Sequence, residues 1–228
     1  LRHIHDALCA GWEVETFIFS APARREKLFK GVIYADGMKG RQCLETTDDI
    51  LSRITGRDNT QPAIATFKQR WHDLNAVNSG LWVGLENIRD PGNLGTIIRT
   101  TYAASADGII LIGDCCDMWS PETVRASMGF FARTKVARCR NPEFPGWRAG
   151  WKGGVIGTHL KDGAVDYRTL KYDLPLLLLM GGEQGGLSDN LTNACNSLVK
   201  IPMAENAESL NLAVSTGIML YEINRGRL

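Results

Sequence analysis

The chain has 228 residues, 44% hydrophobic and 22% charged, enough to bury a sizeable core in one large domain or two small ones. Its longest apolar run, Leu174 to Met180, matches one buried strand, so neither a membrane span nor a membrane partner is expected. A net charge of +1 does not announce a nucleic-acid binder, and a polyanion would have to be held by local patches. The opening "LRHIHDALCAG" lacks the apolar core of a signal peptide. Six cysteines without C-x-x-C spacing, and four histidines away from them, give no metal framework. The expectation is a cytoplasmic protein with reduced cysteines and no metal.

In chain order, "RHIHDALCAG" reads as a helix stopping at Gly11, and "EVETFIF" alternates like a strand. "REKLFKGVIYA" has helical spacing of its apolar residues. "TTDDILSRITG" carries Thr47 as N-cap, acids in the first turn and Gly56 at its end. "PAIATF" closes this segment as a short strand. Two basic runs are candidates for polyanion contact or, equally, solvated faces: Arg24, Arg25, Lys27 and Lys30, and Arg133, Lys135, Arg138 and Arg140.

"KQRWHDLNAVNSG" loses periodicity and ends in turn residues, which divides the chain into residues 1–70, a linker 71–79 and residues 80–228. Beyond it, strands and helices alternate. "LWVGLE", "GIILIG", "GGVIGTHL", "LPLLLLMGG" and "SLVKIP" read as strands. "NLGTIIRTTYAASA", "SPETVRASMG", "SDNLTNAC" and "SLNLAVSTGIMLYEINR" read as helices. Continuously apolar strands between helices point to an α/β fold with a parallel sheet covered on both faces.

Ligands in such sheets sit at the carboxyl ends of the strands, so the loops after the strands carry the chemistry. "NIRDPGNLGTIIRT" offers Asn93 as a helix cap and Arg99 inside the helix; together they read either as a cap and a surface arginine or as a ligand loop with an anion-reaching cation. "GGEQGGLS" sets Glu183 among Gly181, Gly182, Gly185 and Gly186, where a ligand can come close to the backbone; the alternative is a flexible turn with a solvated acid. "MAENAESLNLAVSTG" crowds hydroxyl, amide and carboxylate groups at a helix entrance. Ser209 suffices as a cap there, which leaves Asn211 over.

In this order and spacing, "NIRDPGNLGTIIRT", "LLLMGGEQGGLS" and "VKIPMAENAESLNLAVSTGIMLYE" resemble the three motifs of the SpoU/TrmH-type RNA 2′-O-ribose methyltransferases of the SPOUT superfamily. The resemblance covers roughly residues 80–228, with no departure at a key polar position. More loosely, residues 1–70 look like the small α/β substrate-binding domain that many members carry in front.

The resemblance implies a parallel sheet with a C-terminal deep trefoil knot, a homodimer, and S-adenosylmethionine held largely by backbone groups. Its cofactor-binding positions map to Thr158, Gly181, Gly182, Ile201, Met203 and Leu210, with His159 nearby. Its catalytic positions map to Arg99, Asn93, Glu183, Ser209 and Asn211. Arg99 would be base or electrostatic positioner; Asn93 would orient it, Glu183 would hold the loop or the arginine, and Ser209 and Asn211 would position cofactor and substrate. A front domain favours ribosomal RNA, with transfer RNA as the alternative. A non-catalytic RNA-binding protein of the same fold would be expected to lose some of these residues. A dehydrogenase would need a glycine fingerprint that "NIRDPGNLG" does not supply.

Overall fold

The computed structural model describes residues 1–58, 61–160, 163–183 and 185–227. It divides into two compact units, Leu1–Arg70 and Trp71–Leu228.

The first unit runs α1 (Arg2–Cys9), β1 (Val14–Ser20), α2 (Phe29–Ile33), β2 (Gln42–Thr46), α3 (Asp48–Thr55) and β3 (Ala63–Phe67). Its three strands lie in the order β2-β1-β3, with β1 parallel to β2 and antiparallel to β3. Phe17, Phe19 and Val14 of β1 face a core closed by Leu8 of α1 and by Phe29 and Val32 of α2. The capping signals of α3 are realised: Thr47 accepts from the Ile50 N–H, and Gly56 takes the left-handed conformation. The β2 strand had no sequence signal because all but one of its residues are exposed and no apolar face alternates along it.

The second unit contains β4 (Leu81–Glu86), α4 (Pro91–Ala103), β5 (Gly108–Ile112), α5 (Pro121–Ala126), β6 (Lys135–Cys139), α6 (Phe144–Gly150), β7 (Gly154–Thr158), β8 (Val165–Asp166), β9 (Leu176–Met180), α7 (Asp189–Asn193), β10 (Ser197–Lys200) and α8 (Leu212–Ile223). Its seven strands lie in the order β6-β5-β4-β9-β7-β10-β8. Every pairing in this sheet is parallel. β4, β5 and β9 are buried along their whole length, as expected for strands covered on both faces. Residues 71–79, read from sequence as a linker, pack on this unit: the His72 N–H donates to the Val136 carbonyl at 2.8 Å, and Val77 is buried.

The basic run at 133–140 is an edge strand with its cations outward and Val136, Ala137 and Cys139 inward. The short α6 was hidden by Pro145 and Gly146, which read as turn residues. Among the described residues no helix is long and apolar enough to cross a membrane.

The order of the strands positions the site. From β4 the chain runs outward to β5 and β6 on one side, whereas β9 and β7 lie on the other. Beyond the carboxyl ends of these strands the loops gather, and the cavity there is lined from β7, β9 and β10. α4 packs tightly against α5 there, since a Cβ on Gly95 would lie 2.5 Å from the Ala126 Cβ and from the Thr123 carbonyl oxygen.

Candidate active site

Three loops meet at these carboxyl ends. The first follows β4. Asp90, not Asn93, caps α4: its Oδ1 accepts from the Asn93 N–H at 2.5 Å, and Pro91 starts the helix where its missing N–H costs nothing. Asn93 thus lies in the first turn of α4, with its side-chain amide free for another task. The Asx cap expected at Asn93 falls instead to the residue preceding the proline.

The second loop follows β9. A Cβ on Gly181 would lie 2.0 Å from the Gly186 carbonyl carbon and 2.2 Å from the Leu187 nitrogen, so the loop folds back over residue 181 only because that residue is glycine. The fold-back is closed by the Gly186 N–H donating to the Gly182 carbonyl at 3.0 Å. Glu86, at the end of β4 and 3% exposed, accepts from the Ser188 N–H at 2.7 Å and ties the loop to the neighbouring strand. Sequence reading missed Glu86; its signal was a carboxylate ending an otherwise apolar strand.

The third loop leads from β10 to α8. Here too the cap is reassigned. Asn211, not Ser209, caps α8, its Oδ1 accepting from the Ala213 and Val214 N–H groups at 2.9 and 3.2 Å. The helix accordingly begins at Leu212, later than its apolar spacing implied. Ser209 is exposed, two residues before the cap.

The amides connect the loops. Asn211 Nδ2 donates to Asn93 Oδ1 at 2.9 Å, and Asn93 Nδ2 donates to Glu183 Oε1. The direction of this chain is dictated by chemistry. A carboxylate only accepts, so Asn93 must turn its NH₂ to Glu183 and its oxygen to Asn211. Asn211 must then donate, which leaves its own oxygen for the N-terminus of α8. Three residues far apart in sequence are ordered by one set of donors and acceptors.

This chain borders a cavity of about 730 Å³, within the usual size of a small-molecule site. Thr158, Gly181, Gly182, Ile201, Met203 and Leu210, the six expected cofactor positions, all line it, as do Glu183, Ser209 and Asn211. His159, Lys200 and Glu208 line it as well. Met180, Val199 and Leu212 add apolar wall, while Lys200 and Glu208 bring one charge of each sign. A ligand with an aromatic base and a zwitterionic end suits this donor set, and S-adenosylmethionine is such a molecule.

Arg99 does not join the cluster. It lies on an exposed face of α4, outside the cavity lining, and no hydrogen bond or ion pair holds it among the described residues. Six residues of helix turn it about 120° away from Asn93. Neighbouring thiols are poor nucleophiles. Burial, with Cys115 and Asp90 adding to it, pushes Cys116 up to about 11, and burial likewise pushes Cys195 up to about 11.

A parallel α/β sheet with a glycine fold-back loop and an asparagine-capped helix over one cavity is the architecture of a cofactor-binding transferase, and residues 80–221 match the model of the SpoU rRNA Methylase family. The chain belongs to that family. It is similar to an S-adenosylmethionine-bound rRNA methyltransferase from Sinorhizobium meliloti, whose crystal structure superposes with a TM-score of 0.92 at 42% identity, covering 100% of this chain and 86% of that one. It is also similar to the 23S rRNA (uridine(2479)-2′-O)-methyltransferase of Streptomyces viridochromogenes, 29% identical over 100% of this chain and 82% of that protein. The 23S rRNA (guanosine(2553)-2′-O)-methyltransferase of Bacillus subtilis is 29% identical over 84% of this chain and 76% of its own length.

Proposed function

We propose that this chain transfers a methyl group from S-adenosylmethionine to a ribose 2′-hydroxyl of ribosomal RNA. The observation that carries the reading is the directed amide chain from Asn211 through Asn93 to Glu183 at the rim of the 730 Å³ cavity. Thr158, Gly181, Gly182, Ile201, Met203 and Leu210 are the residues to hold the cofactor, with the folded-back glycine loop letting it approach the backbone. Bound there, S-adenosylmethionine supplies a methyl group on a sulfonium with a neutral leaving group, so the transfer needs no metal.

The protein's own groups must orient the ribose and stabilise the oxygen as its proton passes to solvent water. Asn211 presents an amide whose direction Asn93 fixes from behind, and Ser209 adds a hydroxyl at the cavity wall. Glu183 sets the direction of the amides and holds the glycine loop against α4. Arg99 is permanently protonated, which suits a phosphate anchor and a stabiliser of developing negative charge better than a base.

The position of Arg99 outside the cavity lining supports a homodimer in which the site is completed at the interface, with α4 and α8 as the contact helices. The strand order supports a deep trefoil knot: β10 lies outside β7, yet α8 returns to pack on α4, and Asn224 just beyond α8 donates to the Ala104 carbonyl at 2.5 Å. The first unit serves as the RNA-binding domain. The cytoplasm, where free cysteines persist and ribosomal RNA is found, is the compartment this reading assigns.

The test offers methyl-labelled S-adenosylmethionine with unmodified ribosomal RNA and bulk transfer RNA in separate reactions. Label in the ribosomal pool supports the reading. Label only in transfer RNA moves the substrate class, and cofactor binding without transfer to either pool overturns the proposed activity.

A further inference from the structure

The fold treats the two basic runs differently. In the edge strand β6 the cations are partly engaged. The Arg138 guanidinium lies 3.5 Å from the Trp71 ring centroid, and Arg140 pairs with Glu143. Outward charges on an edge strand also block pairing with another chain, which accounts for them without a ligand. In the run at 24–30 only Arg24 is engaged. It pairs with Glu45 at 2.7 Å and lies over the Phe19 and Phe29 rings. Arg25, Lys27 and Lys30 are exposed, with no hydrogen bond or ion pair among the described residues.

The short α2 orders these groups. Phe29 and Val32 turn into the core of the first unit. Lys30 lies on the side away from these two, Tyr34 follows it by four residues as the C-cap of the helix, and Lys27 sits in the turn just before the helix starts. Tyr34 is 80% exposed, and its hydroxyl has no hydrogen-bond partner among the described residues. Nothing within the fold compensates that ring for its contact with water. The acids nearest in the chain are engaged elsewhere: Glu26 lies by the N-terminal amine and Asp36 pairs with Lys39 at 2.6 Å.

We infer that this face of the first unit, formed by Lys27, Lys30 and Tyr34, docks a single-stranded segment of RNA, with a base stacked on the Tyr34 ring and phosphates on the two lysines. The inference rests on the RNA substrate proposed above. An open aromatic face flanked by unpaired cations matches what an unstacked nucleotide offers, a π-face and an anionic backbone. A duplex keeps its bases stacked and has no use for the ring. A protein partner would need far more apolar area than one side chain provides.

The test uses the full chain with unmodified ribosomal RNA, measuring RNA affinity at several salt concentrations and steady-state methyl transfer. Tyr34→Ala should raise the KM for RNA about 5- to 150-fold, the range expected for one lost base stack, whereas Tyr34→Phe should stay within about twofold of wild type. The double variant Lys27→Ala/Lys30→Ala should flatten the slope of log affinity against log salt by about 1.4, or about 0.7 per phosphate contact. The kcat at saturating RNA, the S-adenosylmethionine Kd and the melting temperature should not move. Wild-type KM in Tyr34→Ala, or an unchanged salt slope in the double variant, overturns the docking surface while leaving the enzyme reading intact. A fall in melting temperature matching the loss of RNA affinity makes these residues structural and overturns it too. A wild-type chain that methylates no RNA overturns the functional reading and this inference with it.

Discussion

Asn211 performs two tasks that one substitution can separate. Its oxygen caps α8, and its NH₂ donates to Asn93. Asn211→Asp keeps the acceptor, because aspartate caps as well as asparagine and its charge suits a helix N-terminus. The donor is lost. Asn93 then stands between two carboxylates that can only accept, and whichever way its amide turns, its oxygen meets one of them. These amides are open to water, which can take over the lost bond and spare the melting temperature, but the fixed direction of the Asn93 amide is lost. One net hydrogen bond, about 0.5–1.5 kcal/mol, corresponds to roughly 2- to 13-fold in kcat/KM if the amides order the transition state. Asn211→Ala loses the cap as well, about 1 kcal/mol, or about 2–4 °C in melting temperature for a chain of this size. Melting curves and steady-state methyl transfer read the two tasks independently. The aspartate variant should melt with wild type and lose activity, and the alanine variant should lose both. An aspartate variant with wild-type activity would refute the role of the amide chain, and one that melts as low as alanine would refute the capping assignment.

Further outcomes follow from the same geometry. Arg99→Ala should lower kcat by about 10²- to 10³-fold, the usual effect of removing a group that stabilises transition-state charge, with cofactor Kd and melting temperature unchanged because the side chain is exposed; parallel loss of cofactor binding would make its role structural. Gly181→Ala must push the loop away from Gly186 and Leu187, and calorimetry should find S-adenosylmethionine binding weakened about tenfold or more, since overpacking costs about 1–3 kcal/mol; unchanged affinity would remove this loop from the cofactor site. A chain starting at Trp71 should keep its cofactor affinity and lose RNA affinity, and equal RNA binding by the shortened chain would end the division of labour between the units.

Much of the site was legible because parallel strands bring their ligands to their carboxyl ends. The residues after "LWVGLE", "LPLLLLM" and "SLVKIP" include Asn93, Glu183 and Asn211, the three members of the amide chain. The roles within each loop were less legible. Asp90 and Asn93 are both capping residues, as are Ser209 and Asn211, and only backbone geometry decides which accepts from the helix. The donation from Asn211 to Asn93 spans 118 residues, a separation over which local pattern carries no information. Strand β6 was hidden because its outward cations drew more notice than its inward Val136, Ala137 and Cys139. Glu86 was passed over as the last residue of a strand, although burial without a partner would be costly there and the Ser188 N–H supplies one. The family resemblance, not the local pattern, linked Arg99 to Asn93, and six residues of helix set the two side chains about 120° apart.

The most direct test of the central claim is where the methyl group lands. Ribosomal RNA lacking the modification would be treated with this protein and methyl-labelled S-adenosylmethionine, digested with alkali, and its products identified by mass. A methylated ribose 2′-oxygen blocks cleavage of the adjacent linkage, so the account predicts label in an alkali-resistant dinucleotide that yields a single 2′-O-methylnucleoside. Label released with ordinary mononucleotides, as a methylated base would give, would contradict it.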